Sequence, residues 1–221
     1  GCVCCLYATG LALARDVWGG RGRRVRFAND AKCFAHSAGV VGGGGGARVV
    51  FGVIVGTGTG GGVVVDRKAL TGPNAIAGEW GHNPLPWPRE GEWPGRPCYC
   101  GKSGCIETFL SGPGLAGSHE RATGARLPVE EIARLAAAGD AQAGATLERY
   151  EERLTRALAG AINILDPHVI VLGGGLSNLE RIYDHVPQMW GAHVFSDRVD
   201  TRLVPPRHGD ASGVRGAAWL W

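Results

Sequence analysis

An α/β fold is predicted from three observations. Two β-branched runs, 49–55 and 63–65, flank a glycine-rich turn. Leu147, Tyr150, Leu154, Leu158, Ile162 and Leu165 recur at the three- and four-residue steps of an amphipathic helix. A further apolar run, 169–172, then leads through three glycines into a second helical pattern.

Taken in order, residues 25–27 form a short apolar stretch that reads as the end of a strand. Asn29 and Asp30 stand at the start of a helix running through Phe34 to Val40. The run 42–46 is all glycine and reads as a turn, and the β-branched runs that follow make a hairpin closed by a loop over 56–62. Segment 84–97, dense in proline and tryptophan, is an irregular loop whose Trp87 and Trp93 are more simply packing or interface aromatics than stackers on a ligand. A shorter helix over 129–138 precedes the long one, which Asp166-Pro167 ends. After the strand 169–172 and the turn Gly173-Gly174-Gly175, a helix is expected over 178–190.

The richest window in the chain holds Glu79, His82, Cys98, Cys100, Cys105 and Glu107. Cys98 and Cys100 stand one residue apart, and Gly101 and Gly104 let the chain double back so that Cys105 reaches the same point. With His82 they make a Cys3His tetrahedral set for a structural zinc ion, against the plainer reading of three reduced thiols. Glu79 and Glu107 are not needed as ligands, so the loop is expected to aim them at something else, most simply sugar hydroxyls.

The chain has 221 residues, 44% of them hydrophobic, which is enough for a sizeable core. No apolar run is long enough to span a membrane and the start lacks a basic leader pattern, so a cytoplasmic location is the expectation. A net charge of +3 gives no case for nucleic acid, and Arg21, Arg23, Arg24 and Arg26 read as a solvated strand edge. Seven cysteines, four of them (Cys2, Cys4, Cys5 and Cys33) outside the metal set, speak against a disulfide scaffold.

Gly56, Gly58 and Gly61 satisfy the dinucleotide pattern, but that pattern must open a helix and here a strand follows. Gly95 with Gly101-Lys102-Ser103 has five residues between its glycines where a P-loop has four, and the cysteines explain that segment better. The loop after residue 55 does offer unhindered backbone N–H groups to an anionic oxygen, a phosphate above all. The turn Gly173-Gly174-Gly175 could hold a nucleotide against a helix start. Transfer of phosphate to a sugar hydroxyl needs a base, for which Asp30 is placed, with Asn29 beside it to hold the same sugar; alone, Asp30 reads as a helix cap.

These residues carry a family resemblance. Arg26-Phe27-Ala28-Asn29-Asp30-Ala31, the glycines from 56 to 62, Gly78-Glu79-Trp80-Gly81-His82, Gly104-Cys105-Ile106-Glu107 and Val171-Leu172-Gly173-Gly174-Gly175 resemble the ROK sugar kinases in order and spacing. The resemblance implies an actin-like and hexokinase-like ATPase fold, ribonuclease H-like in its core, with two lobes around a cleft, usually as a homodimer. It implies Asp30 as general base, Asn29, Glu79, His82 and Glu107 on the sugar, and His82 on zinc as well. Gly56, Thr57 and Gly58, with Gly173, Gly174 and Gly175, would hold ATP, and Mg2+ would bridge its phosphates. Within the family, the stretch from Gly78 to Trp87 and the ending from Arg207 most resemble fructokinases and mannokinases, with N-acetylglucosamine kinases second.

The first-lobe phosphate loop of the family has no counterpart before Asn29. The expected organisation is therefore a remnant of the N-terminal lobe over 1–28, the sugar- and zinc-binding lobe over 29–204, and a closing helix over 205–221. That helix, with Val214, Ala217, Ala218 and Leu220, would pack on the first lobe, and without it the chain is expected to be sticky. A sugar-responsive repressor of the same family and a zinc-stabilised interaction domain without chemistry are the competing readings.

Overall fold

The computed structural model describes residues 29–40 and 42–207. The expected strand end over 25–27, the arginine run, Cys2, Cys4 and Cys5 lie outside the described residues, as does the closing helix expected over 205–221 except for residues 205–207, which are not helical. Helix α1 (Asp30–Val40) is followed by strands β1 (Val49–Val55), β2 (Thr59–Val65) and β3 (Lys68–Ala69). Helices α2 (Ile106–Leu110), α3 (Gly112–Thr123), α4 (Val129–Ala137) and α5 (Ala141–Leu165) come next. Strand β4 (Val169–Gly173), a 3-10 turn (Gly175–Asn178), α6 (Arg181–Met189), a second 3-10 turn (Trp190–Ala192) and β5 (Arg202–Val204) complete the order.

The five strands form one mixed sheet in the order β3-β2-β1-β4-β5. β1 and β2 are an antiparallel hairpin pairing Val49 with Val65 and Val55 with Thr59, while β4 runs parallel to β1 and β5 parallel to β4. Alternation along the strands divides two cores, because successive side chains leave a strand on opposite faces. Phe51, Val53, Val55, Ile170 and Leu172 face the larger core, where Leu154, Leu158 and Ile162 of α5 cover them. Val50, Val64, Val169 and Val171 face Phe34, Ala35 and Ala38 of α1.

The expected loop over 56–62 is shorter than its glycines suggested. β2 begins at Thr59, so only Gly56, Thr57 and Gly58 make the turn, and Gly60, Gly61 and Gly62 belong to the strand. The reason is packing. A methyl group at Gly62 would stand 2.9 Å from Ala35 Cβ, and one at Gly52 would stand 2.5 Å from Ala35 Cα. Glycine lets α1 lie against the sheet, and that closeness sets its first residues beside the hairpin turn. The helix expected over 178–190 is also divided, into two 3-10 turns around α6.

Segment 84–97 is irregular, as expected, but it is not loose. Glu92, 6% exposed, takes Arg153 Nε at 2.7 Å and Arg156 Nη2 at 2.8 Å from α5, and the backbone N–H of Arg89 at 2.8 Å. Arg156, 1% exposed, also donates to the carbonyls of Pro86 (3.0 Å) and Trp87 (2.7 Å). Burial alone would raise the Glu92 carboxyl; the hydrogen bonds from Arg153, Arg89 and Arg156 overcome it and hold the group below its ordinary range. Its stabilisation is therefore complete above the unfolded carboxylate value and is lost as pH falls through the lower folded one. Glu92→Ala would take from Arg153 its carboxylate partner and leave Arg156 with Glu152 alone, and chemical denaturation should show a loss of about 3 kcal/mol, the lower end for a broken buried pair.

Candidate functional site

The C-terminal ends of β1 and β4 define one edge of the sheet, and both glycine turns lie there. Gly174 (φ 82°) approaches the β1 end so closely that a methyl group on it would stand 2.5 Å from Val55 O. A methyl on Gly56 would meet Gly174 Cα and Gly175 N at 3.8 Å, so Gly56-Thr57-Gly58 and Gly173-Gly174-Gly175 are neighbours. Gly173 ends β4 and Gly175 opens the 3-10 turn, where Ser177 N–H bonds back to Gly174 O at 3.0 Å.

The start of α1 arrives at the same edge, since a methyl at Gly60 would touch Ala31 Cβ at 3.3 Å. Asn29 Oδ1 and Asp30 Oδ1 each accept from Ala31 N–H at 2.8 Å, and Asp30 is exposed. Asp30 is thus both part of the helix cap and a carboxylate presented outward.

Glu107 comes from the first turn of α2. Its Oε2 accepts the Thr59 N–H at 2.9 Å, and a methyl on Gly58 would stand 2.8 Å from that same oxygen. The carboxylate is therefore locked to the hairpin turn. Gly112 N–H, at the start of α3, bonds Gly56 O at 2.7 Å, and beside them lies a cavity of about 240 Å³ lined by Thr57, Arg96, Cys98, Glu107, Thr108 and Ser111.

Glu79 reaches the cluster on segment 78–83, which is clamped between β2 and α2: Trp80 Nε1 donates to Gly60 O at 2.9 Å, and Gly81 O accepts from Glu107 N–H at 2.9 Å. Burial raises the Glu79 carboxyl above its usual range; Glu107 and Asp30 add to that rise, while His82 and Lys32 oppose it. Three carboxylates thus share one patch.

Lys32 was not among the residues singled out from sequence. It lies on α1, 9% exposed, and its ammonium donates to Thr71 O at 3.4 Å and to Ala75 O. Burial lowers its pKa and Glu79 pulls it back up. The ammonium ties the segment leading to Glu79 onto the helix that carries Asp30. If the sugar-kinase expectation holds, Lys32→Met should raise the KM for the sugar about tenfold, the scale of a lost charged hydrogen bond, with a much smaller change in kcat. Steady-state kinetics over a range of sugar concentrations measures both.

The four expected metal ligands come together. One donor atom from each of His82, Cys98, Cys100 and Cys105 lies within 4.8 Å of all the others. His82 Nδ1 and Cys98 Sγ are 3.5 Å apart, and Cys100 Sγ and Cys105 Sγ 3.6 Å. Donors placed tetrahedrally around zinc at ordinary bond lengths stand about 3.5–3.8 Å apart, so the set fits that ion. The loop is closed by Cys98 N–H to Lys102 O (2.7 Å) and Gly104 N–H to Arg96 O (2.9 Å), with Gly101 at φ 87° and Gly104 at φ 71°. Burial pushes the Cys105 thiol up to about 12, and Cys100 and Cys98 add to it. A site that crowds three thiols needs a cation to hold them as thiolates.

The second nitrogen of His82 is engaged. Nε2 lies 2.8 Å from Tyr99 OH, and the two rings meet edge to face with centroids 5.0 Å apart. A sugar hydroxyl on His82 would have to take the place of that phenol.

Comparison with known proteins gives this arrangement its context. The model of the ROK family matches residues 10–221. An N-acetyl-D-glucosamine kinase of Photobacterium profundum is 42% identical over 217 residues, covering 96% of this chain and 72% of the relative. A ROK hexokinase from Thermus thermophilus superposes with a TM-score of 0.83 at 30% identity, over 93% of this chain and 67% of that one. A ROK glucokinase from Streptomyces griseus, solved with glucose and AMPPNP, superposes with a TM-score of 0.82 at 26% identity, over 94% and 71%. Of the expected sugar classes, the Photobacterium profundum relative carries the second, N-acetyl-D-glucosamine, and not fructose. The architecture is the actin-like, hexokinase-like one the resemblance implied, and among the described residues no helix is long and apolar enough to cross a membrane.

Proposed function

The chain belongs to the ROK family, and from that premise we propose that the protein transfers the γ-phosphoryl group of ATP to a hydroxyl of a free hexosamine, with N-acetylglucosamine as its preferred acceptor. The observation that carries this reading is the convergence of an exposed carboxylate, Asp30, with Glu79, Glu107 and the Gly56-Thr57-Gly58 turn at one edge of the sheet. The N-acetyl-D-glucosamine kinase of Photobacterium profundum, at 42% identity, supports the choice of sugar.

Asp30 accepts the proton of the attacking hydroxyl as the bond to phosphorus forms, which raises the nucleophilicity of the oxygen at the moment it is needed. Asn29, Glu79 and Glu107 fix the sugar ring, with the unengaged oxygen of Glu107 and the carboxyl of Glu79 as partners for hydroxyls. The amides of Thr57 and Gly58 and the Thr57 hydroxyl receive the phosphate oxygens, the Gly56 N–H being held by Gly58 O at 2.9 Å, and Gly173-Gly174-Gly175 gives the nucleotide a surface without side chains. Magnesium bound with ATP would supply positive charge to the phosphates. His82, Cys98, Cys100 and Cys105 would hold zinc, which would have a structural part in bracing the loop between Glu79 and Glu107.

Ranking kcat/KM across N-acetylglucosamine, glucose, mannose and fructose tests the substrate assignment. N-acetylglucosamine should stand first; a preference for fructose would overturn it, and sugar binding without turnover would point to a regulator.

A further inference from the structure

Three arginines from separate parts of the chain meet over one turn of α3, and one of them, Arg96, also lines the cavity beside Glu107. Gly117 makes room for them: a methyl there would stand 2.7 Å from Arg96 Nη1 and 3.5 Å from Arg121 Nη1. Arg153 donates from Nη1 to Ser118 Oγ, the next residue, at 2.9 Å. The ring of Phe109 carries two of the guanidinium groups, Arg96 at 5.8 Å and Arg153 at 5.2 Å from its centroid. Arg149, one turn before Arg153 on α5, adds a fourth charge, tethered to Thr146 Oγ1 at 3.0 Å.

Counter-charge is thin here. Glu92 serves Arg153 but divides itself with Arg156. Arg96 spends one nitrogen on the carbonyls of Thr108 and Gly114. Arg96, Arg121 and Arg149 form no ion pair with any carboxylate among the described residues, although Glu120 and Glu148 lie within electrostatic reach of Arg121 and Arg149. Packing like charges together is unfavourable unless something of opposite sign joins them. Guanidinium forks gathered around one turn of α3 suit a compact tetrahedral oxyanion, which more than one can grip, better than an extended polyanion.

We propose that Arg96, Arg121, Arg149 and Arg153 form a binding site for a phosphate group, carried by a small phosphate monoester or by free phosphate. Through Arg96 the site connects to Thr108 and Gly114, so its occupant braces the start of α3 against the helix that holds Glu107. The proposal stands apart from the kinase reading, because binding is measured without turnover.

The test is thermal unfolding and calorimetric titration with inorganic phosphate and with glucosamine 6-phosphate, against chloride at equal ionic strength. At tenfold excess over Kd, the site predicts a rise in Tm of about 3–5 °C in the unaltered protein. Arg121→Gln and Arg149→Gln alter exposed or half-buried positions, should fold normally, and should weaken binding about tenfold or more. Tighter binding of the sugar phosphate identifies a monoester as the ligand, and equal binding identifies the bare phosphate. Equal shifts in the variants and the unaltered protein would place the phosphate elsewhere, at the Gly56-Thr57-Gly58 turn, and would overturn the proposal, as would a shift no larger than that from chloride.

Discussion

Asp30→Asn is expected to lower kcat for phosphoryl transfer by about 10²–10⁴-fold, the usual contribution of a positioned general base. The substitution separates chemistry from structure unusually well. Asp30 Oδ1 accepts the Ala31 N–H at 2.8 Å, and an asparagine oxygen can accept the same bond, so the start of α1 stays capped. Asn29 supports the same amide. Unfolding should therefore shift little and the sugar KM should change only a few-fold, while the carboxylate that receives the proton is gone. Steady-state kinetics with a melt of the same preparation checks both halves. A variant retaining most of its kcat would remove Asp30 from the chemistry.

Cys100→Ser is expected to have the largest effect on structure. Cys100 is the most exposed of the three thiols, and the backbone N–H of Lys102 holds it below its ordinary range, so it is the thiolate most readily offered to a metal. Loss of one of four ligands should weaken zinc binding by more than the roughly 10–100-fold that outer contacts are worth. Metal binding in such sites is folding free energy, so the 98–105 hairpin should loosen. Cys105 stands at the N-terminal boundary of α2, and Glu107 is two residues further on, so sugar affinity should fall with the metal. Metal analysis and sugar titration of the variant, beside unaltered protein treated with a chelator, measure this. Full metal content in the variant would refute the ligand set.

Much of this was legible in the residues because the signals were local. The long helix α5 announces itself in the spacing of Leu147, Leu154, Leu158 and Ile162, all buried in the larger core. The metal set was legible because its spacing is itself the geometry: Gly101 and Gly104 adopt the positive φ that the doubling back requires. What escaped depends on contacts distant in sequence. Gly60, Gly61 and Gly62 resemble a loop by propensity, yet they are strand because α1 and segment 78–83 need the space their side chains would fill. Helices α2 and α3 were hidden in a stretch of glycine and short elements, although Ser111, which caps α3 by accepting Gly114 N–H, with Pro113 beside it, was a usable signal. Lys32 reads as an ordinary helix lysine until the fold brings Thr71 and Ala75 to its ammonium. Arg96 and Arg121, 25 positions apart in the chain, reveal nothing in sequence of their meeting over Gly117. Tyr99 was legible only as the residue between two cysteines, and its hold on His82 needed the folded hairpin.

The central claim is phosphoryl transfer at the edge where Asp30 meets the hairpin turn, and the direct measurement is product formation from ATP, magnesium and N-acetylglucosamine. The account predicts one sugar phosphate for each ADP formed, at a rate that falls with Asp30→Asn. ADP formed without sugar phosphate, or no product while sugar and ATP are both bound, would contradict it.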